Sequence, residues 1–187
     1  MPNKEEDMSS RENQPLEAKP IEYCINLDAP PNEQVSSMEI VEHRKGGQVN
    51  FSPAKVQLWL SKEQENGRIL GHDLYRKLAK MVVYNVNLLE FFLENTLLIP
   101  EDWKVTPLEP GGFLSRVLRS VPYDSSIRRS FEIRNVCFWG TIYRGSFDGR
   151  LYVRCLYWDD FWRGDKYLCL DDDWDNTCPT LISINSV

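Results

Sequence analysis

Two aromatic and β-branched runs, FEIRNVCFWGTIYR from Phe131 and RLYVRCLYW from Arg150, flank SFDG, whose Asp-Gly pair signals a tight hairpin turn. They predict two paired strands, with Leu151, Val153 and Cys155 on one side and Tyr152, Arg154 and Leu156 on the other. Such a ribbon has apolar residues on both faces, so the rest of the chain has to cover it. Leu74, Leu78 and Met81, spaced i, i+4, i+7, predict a helix from about His72 to Lys80. Asn87 with Glu90 has the spacing of a capping box, and Leu88, Leu89, Phe92 and Leu93 give the helix that follows a buried face up to Asn95. Ser61 with Gln64 has the same spacing and predicts a short helix ending by Gly67.

Shorter strands are expected before these helices. Ile21, Tyr23 and Ile25 alternate, and Met38 to Glu42 followed by a Gly46-Gly47 turn and by Val49 and Phe51 predicts a hairpin. Val56, Leu58 and Leu60 fit a strand or a short helix equally. Thr180 to Ile184 predicts a closing strand that reaches back to pair with an early one. The sum is a single α+β domain over 20–187. Residues 1–19 are charged and poor in large apolar side chains, so they are expected to be a disordered N-terminal arm. Pro107, Pro110, Gly111, Gly112 and Pro122 mark 104–130 as an inserted loop; its Arg116, Arg119, Arg128 and Arg129 are read first as a solvated face, with an acidic or phosphate partner as the lesser reading.

Composition narrows the function. With 42% hydrophobic and 12% aromatic residues in 187, there is material for one core. A net charge of -6 argues against binding nucleic acid. The five cysteines, Cys24, Cys137, Cys155, Cys169 and Cys178, form no CxxC pair and an odd set, which points away from zinc and from a secreted disulfide framework. Cys137 and Cys155 are expected to be buried packing residues. With no signal peptide and no apolar run long enough to span a bilayer, a cytoplasmic location without membrane insertion is expected, export by another route remaining open.

The stretch from Trp158 to Pro179, WDDFWRGDKYLCLDDDWDNTCP, shows neither a helical nor a sustained strand period and reads as a long irregular loop pinned by aromatic anchors. Trp158, Trp162 and Trp174 are expected to face the core, as is Trp139 upstream. Exposed Tyr, Phe and Arg residues between them are the better ligand contacts, since those types dominate binding hot spots.

The ordered blocks EHRKGGQ, LWLSKEQENG, GHDLYRKL, NVNLLEFFLEN, LIPEDWK, FWGTIYR, GRLYVRCLYW and LDDDWDN-x-x-P resemble the variable target proteins of diversity-generating retroelements, over about Ile21 to Val187. The resemblance implies a C-type-lectin-like fold with two main helices, antiparallel strands and a C-terminal ligand loop, rewritten by mutagenic reverse transcription at adenines. An asparagine codon altered only at its adenines never yields Trp, Met, Glu, Gln or Lys, and among the non-tryptophan residues of the stretch Lys166 alone breaks that rule. Tryptophan codons contain no adenine and stay fixed. The candidate variable, ligand-facing positions are Asp160, Phe161, Arg163, Asp165, Tyr167, Cys169, Asp172, Asp175, Thr177 and Cys178. The implied function is non-enzymatic binding of a protein ligand, with no cofactor.

Other classes stay open at this point. Asp171, Asp172, Asp173 and Asp175 offer oxygens to calcium, as in a fixed lectin-like calcium or carbohydrate binder, although no glycine supplies an EF-hand turn. A carboxylate pair among them would suit a hydrolase, but His43 and His72 lie far off in sequence. An adaptor docking through the helices from His72 to Asn95 is a third class. Cys169 and Cys178 would bridge only if their Cα atoms came within about 7 Å, and a reducing cell would keep them free.

Overall fold

The computed structural model describes residues 23–32, 37–103, 134–159 and 161–184. The expected arm at 1–19 and insertion at 104–130 lie outside them, as does Asp160; of Asp165 only the backbone is described. The architecture is α+β. In chain order it runs β1 (Tyr23–Asn26), β2 (Met38–His43), β3 (Gln48–Phe51), β4 (Val56–Trp59), α1 (Lys62–Asn66), β5 (Ile69–Leu70), α2 (Gly71–Leu78), α3 (Val86–Glu94), β6 (Asn135–Gly145), β7 (Leu151–Asp159), β8 (Phe161–Cys169), β9 (Asp173–Trp174) and β10 (Thr180–Ser183).

The predicted ribbon is the centre of a six-stranded sheet of order β4-β10-β6-β7-β8, with β2 on the second half of β6. Alternate residues of β6 enter two different cores: Val136 and Phe138 join Leu88, Leu89 and Phe92 of α3, while Cys137 and Trp139 join Leu74 and Leu78 of α2 together with Trp174. The sheet is therefore covered on both faces, which is why β6 reads as a continuous apolar run rather than an alternating one. The closing strand does reach back: β10 pairs antiparallel with β4, Leu181 opposite Leu58, and parallel with β6, Thr180 opposite Cys137. That pairing also settles Val56 to Trp59 as a strand.

Three expectations are corrected. The hairpin of β2 with β3 does not form; β3 pairs with β1 and β2 with β6, because the chain between them is drawn off, Arg44 N donating to Gly140 O at 2.7 Å and Leu27 N to Gly47 O at 2.9 Å. The cap of α3 is Asn85, not Asn87: the Asn85 side chain accepts from Asn87 N. The helix α2 ends at Leu78, leaving Met81 beyond it but still packed on the second core.

The capping box at α1 is present as expected. Ser61 Oγ accepts from Gln64 N at 3.2 Å, and Gln64 Oε1 accepts from Ser61 N at 3.1 Å. Both residues are buried, and the amide nitrogen of Gln64 goes on to donate to Asp175 O at 3.1 Å and Cys178 O at 3.0 Å. A five-residue helix is too short to stand alone, so its cap and these two long-range bonds hold it in place. Ser61→Ala is expected to lower stability by about 1 kcal/mol, read as a lower urea midpoint at unchanged slope.

Candidate functional site

The segment from Trp158 to Pro179 is less irregular than its sequence suggests. Its first half is β8, paired antiparallel with β7: Trp158 opposite Trp162, Asp159 opposite Phe161, Tyr157 opposite Arg163. The alternation is hidden because β8 carries an extra residue between the pairs Tyr157↔Arg163 and Cys155↔Lys166. A bulge of this kind breaks the two-residue period and re-aims side chains. Here it brings Arg163 and Lys166 to the same face although they are three positions apart.

The two faces of this hairpin differ. Toward α3, the Trp158 and Trp162 rings meet edge to face at 5.3 Å, Trp162 is buried in the first core and Trp158 packs against it. Gly164 follows on the same side, where an added Cβ would fall 2.5 Å from a Leu89 methyl and 2.6 Å from one of Leu93; the bare backbone lets α3 lie close. Arg154 of β7 clamps the layers, donating to Gly164 O and to the Glu90 carboxylate of α3. Both residues are largely sheltered, so this ion pair is screened less than a surface one.

On the opposite face stand Tyr157, Phe161, Arg163 and Lys166. Phe161 is 54% exposed and its ring lies 4.1 Å from the Arg163 guanidinium carbon. The Lys166 ammonium is 5.7 Å from the Tyr157 ring centroid and 3.0 Å from Asn135 Oδ1. Cation–π contacts at such exposed sites contribute about 0.5–1 kcal/mol each. They order long side chains that stay partly exposed, although the Arg163 Nε itself is buried. Asn135 N in turn donates to Thr177 O at 2.7 Å, which sets the 175–178 turn beside this patch.

That turn is self-supporting. Asp175 Oδ1 accepts from Thr177 N at 2.9 Å and from Thr177 Oγ1 at 2.6 Å, an Asx turn. At the other end of the hairpin, Asp171 sits 2.8 Å from His72 Nε2 and 3.4 Å from Arg150 Nε, and Asp172 is exposed with its carbonyl accepting from Gly71 N. The carboxylates of Asp171, Asp172, Asp173 and Asp175 do not converge on one point: among the described residues no group of three His, Cys, Asp or Glu is placed to hold a metal ion.

Of the positions singled out from sequence, Phe161, Arg163, Asp175 and Thr177 gather on one side of the sheet. Tyr167 lies on the α3 side, edge to face with Tyr143 at 5.2 Å, and Asp172 is at the far end. Cys169 and Cys178 are buried at 6% and 9% exposure, so they are not ligand-facing: Cys169 is covered beside Tyr152, its register partner, and Cys178 beneath the turn. Trp139, Trp162 and Trp174 are buried as expected of anchors. Tyr157, Asn135 and Lys166 belong to the patch but were not singled out: Asn135, Tyr157 and Arg163 meet by register across β6, β7 and β8, and the bulge adds Lys166.

Compared with known proteins, the chain matches no family model, no curated protein and no solved structure. Among the described residues no helix is long and apolar enough to cross a membrane. Fold and function therefore rest on this chain's own residues.

Proposed function

We propose that this chain is a non-enzymatic, ligand-binding protein of C-type-lectin type, a variable target protein of a diversity-generating retroelement whose recognition surface is the outer face of the β7–β8 hairpin and the adjoining 175–178 turn. The observation that carries the reading is the division of labour along β8. Trp162 and Gly164 pack toward α3, while Phe161 and Arg163 stand on the other face in mutual contact and partly open to solvent. Such a division lets the outer side chains change without disturbing the core, as a diversified binder requires. Aromatic and Arg side chains supply contact area and directed polar contacts of the kind that concentrate binding energy. The partner it suits is another protein, recognised over an exposed sheet face.

Phe161→Ala is expected to change folding stability by less than about 0.5 kcal/mol, as substitutions on an open surface do, and Arg163→Ala, whose Nε is buried, by up to about 1 kcal/mol. Binding to a partner selected against the parent chain should fall by about tenfold or more for each, given the usual weight of a hot-spot side chain. The direct test of diversification is the locus: a near-copy of the codons for Trp158 to Pro179 beside a reverse-transcriptase gene, with variants differing at template adenines. A locus without that copy and an invariant segment across the population would overturn the diversification, leaving the binding prediction to be judged separately.

A further inference from the structure

The two-stranded sheet of β1 and β3 shares no backbone ladder with the six-stranded sheet. The two are joined through Leu27, whose carbonyl takes the Asn85 amide at 2.7 Å and lies 3.1 Å from His43 Nε2. Beside that joint is a cleft of about 470 Å³, in the size range of small-molecule sites. Leu27 and Val49 line it from the small sheet, Met81 to Tyr84 from the link between α2 and α3, and Ser183 from the end of β10. Its inner side chains are aliphatic: Leu27 and Val83 are buried, Val49 and Met81 half-buried. Val82 at its rim is 60% exposed, so the cleft is open to solvent.

Its charge runs against that of the whole chain. Among the described residues no Asp or Glu lines the cleft, whereas Arg44, Lys45 and Lys55 do, in a protein whose net charge is -6. Arg44 spends its guanidinium elsewhere, on Glu42 Oε1 at 2.7 Å and Leu78 O at 3.0 Å. The other two cations are less committed. Lys55 Nζ donates to Asn50 O at 3.2 Å, which uses one of its three donors. Lys45 makes no ion pair or side-chain hydrogen bond among the described residues. The Asp28 carboxylate, the nearest in sequence to Leu27, is held by Gly47 N at 2.9 Å. Both lysines are exposed, which places two hydrated ammonium groups over an aliphatic floor.

We propose that this cleft binds a small carboxylate with a linear aliphatic body, of the size of a medium-chain fatty acid. The carboxylate takes the open donors of Lys45 and Lys55, and the chain lies along Val49, Met81 and Val83. Each half of the ligand answers one half of the site. The aliphatic chain removes apolar surface from water on both sides of the contact, and the head group gives two ammonium groups an anionic acceptor, a stronger bond than a neutral one. A neutral alcohol of the same length meets only the floor, and a short carboxylate meets only the lysines. The cleft shares no residue with the β7–β8 patch, so this site does not rest on the recognition reading.

The test titrates the isotope-labelled full-length chain at neutral pH with octanoate, 1-octanol and acetate, and follows the backbone amides by NMR. Octanoate should shift the amides of Gly46, Gln48 and Val82 in one saturable set, about tenfold tighter than octanol, while acetate should not saturate. In the double variant Lys45→Ala, Lys55→Ala, octanoate should fall about tenfold to the affinity of octanol, with octanol itself unchanged. Damage to the fold would weaken both ligands, so the unchanged octanol arm separates a lost charge from a lost cleft. The proposal is overturned if octanoate binds the parent chain no tighter than octanol, if its shifts lie outside the cleft, or if the double variant binds octanoate as the parent does.

Discussion

Trp174→Ala is expected to lower the stability of this protein by about 3–5 kcal/mol, the range for emptying a buried large aromatic site. For a chain of this size that is a fall in melting temperature on the order of 10 °C. Trp174 is 2% exposed, and its ring centroid is 4.7 Å from that of Trp139, which is itself fully buried in the second core. Its indole nitrogen donates to Cys169 O at 3.1 Å, so the substitution also leaves a buried carbonyl without that donor. The same residue carries the β5–β9 pairing opposite Ile69, which ties the end of the candidate recognition segment to the start of α2. The hole cannot collapse easily, because sheet residues line one side and α2 the other. Urea unfolding followed by far-UV circular dichroism checks the value without relying on the fluorescence that the substitution removes. A loss below about 1 kcal/mol would mean that Trp174 is not an anchor. The contrast with Phe161→Ala, a few positions away and expected to be nearly neutral, separates scaffold from surface within a single stretch of sequence.

How far the sequence discloses this arrangement depends on whether a period survives. The β6–β7 ribbon is legible because branched and aromatic residues persist over both strands and an Asp-Gly turn joins them. Leu74 and Leu78 are legible because one helix face meets one core. The first half of the Trp158 to Pro179 segment is not legible as a strand, since the bulge in β8 shifts the alternation midway and leaves Arg163 and Lys166 on one face at an odd spacing. Its tryptophans nevertheless mark the buried side, because a ring of that size on an edge strand needs a core to enter. Pairing partners are the least legible feature. Nothing local to Val49 or Ile40 distinguishes a hairpin between β2 and β3 from the observed separation, in which β3 finds β1 and β2 finds β6. The deciding contacts come from residues far away in sequence, Gly140 and Asn85 among them.

Asn85→Ala is expected to cost about 3 kcal/mol, far more than an ordinary helix cap. The cap alone contributes about 1 kcal/mol, through Asn85 Oδ1 accepting from Asn87 N at 3.1 Å. The remainder comes from the amide nitrogen, which donates to Leu27 O at 2.7 Å and Arg44 O at 2.9 Å. Asn85 is 1% exposed, so water does not readily replace a lost donor; Leu27 O keeps His43 Nε2 at 3.1 Å, and the loss at Arg44 O costs roughly 1–3 kcal/mol. One side chain thus joins the segment after β1, the segment after β2 and the start of α3. The sheet accommodates it at Gly140, where an added Cβ would fall 2.8 Å from the Asn85 backbone nitrogen and Cα. Next to it, Thr141 Oγ1 takes the Val86 N–H at 3.1 Å and lies 2.9 Å from His43 Nδ1, so the helix start is fixed to β6 and β2 together. Asn85→Asp separates the two contributions, because the carboxylate keeps the cap acceptor and loses the donors. It should remain well short of full stability, while Asn87→Ala, which gives up bonds to Asn26 O and Ala29 O on a more open side, should cost about 1 kcal/mol. If Asn85→Asp recovered the parent's denaturation midpoint, the amide nitrogen would carry no weight, and Asn85 would be a simple cap. If it does not, the junction of β1, β2 and α3 is held by a residue that no helix or strand period in the sequence singles out.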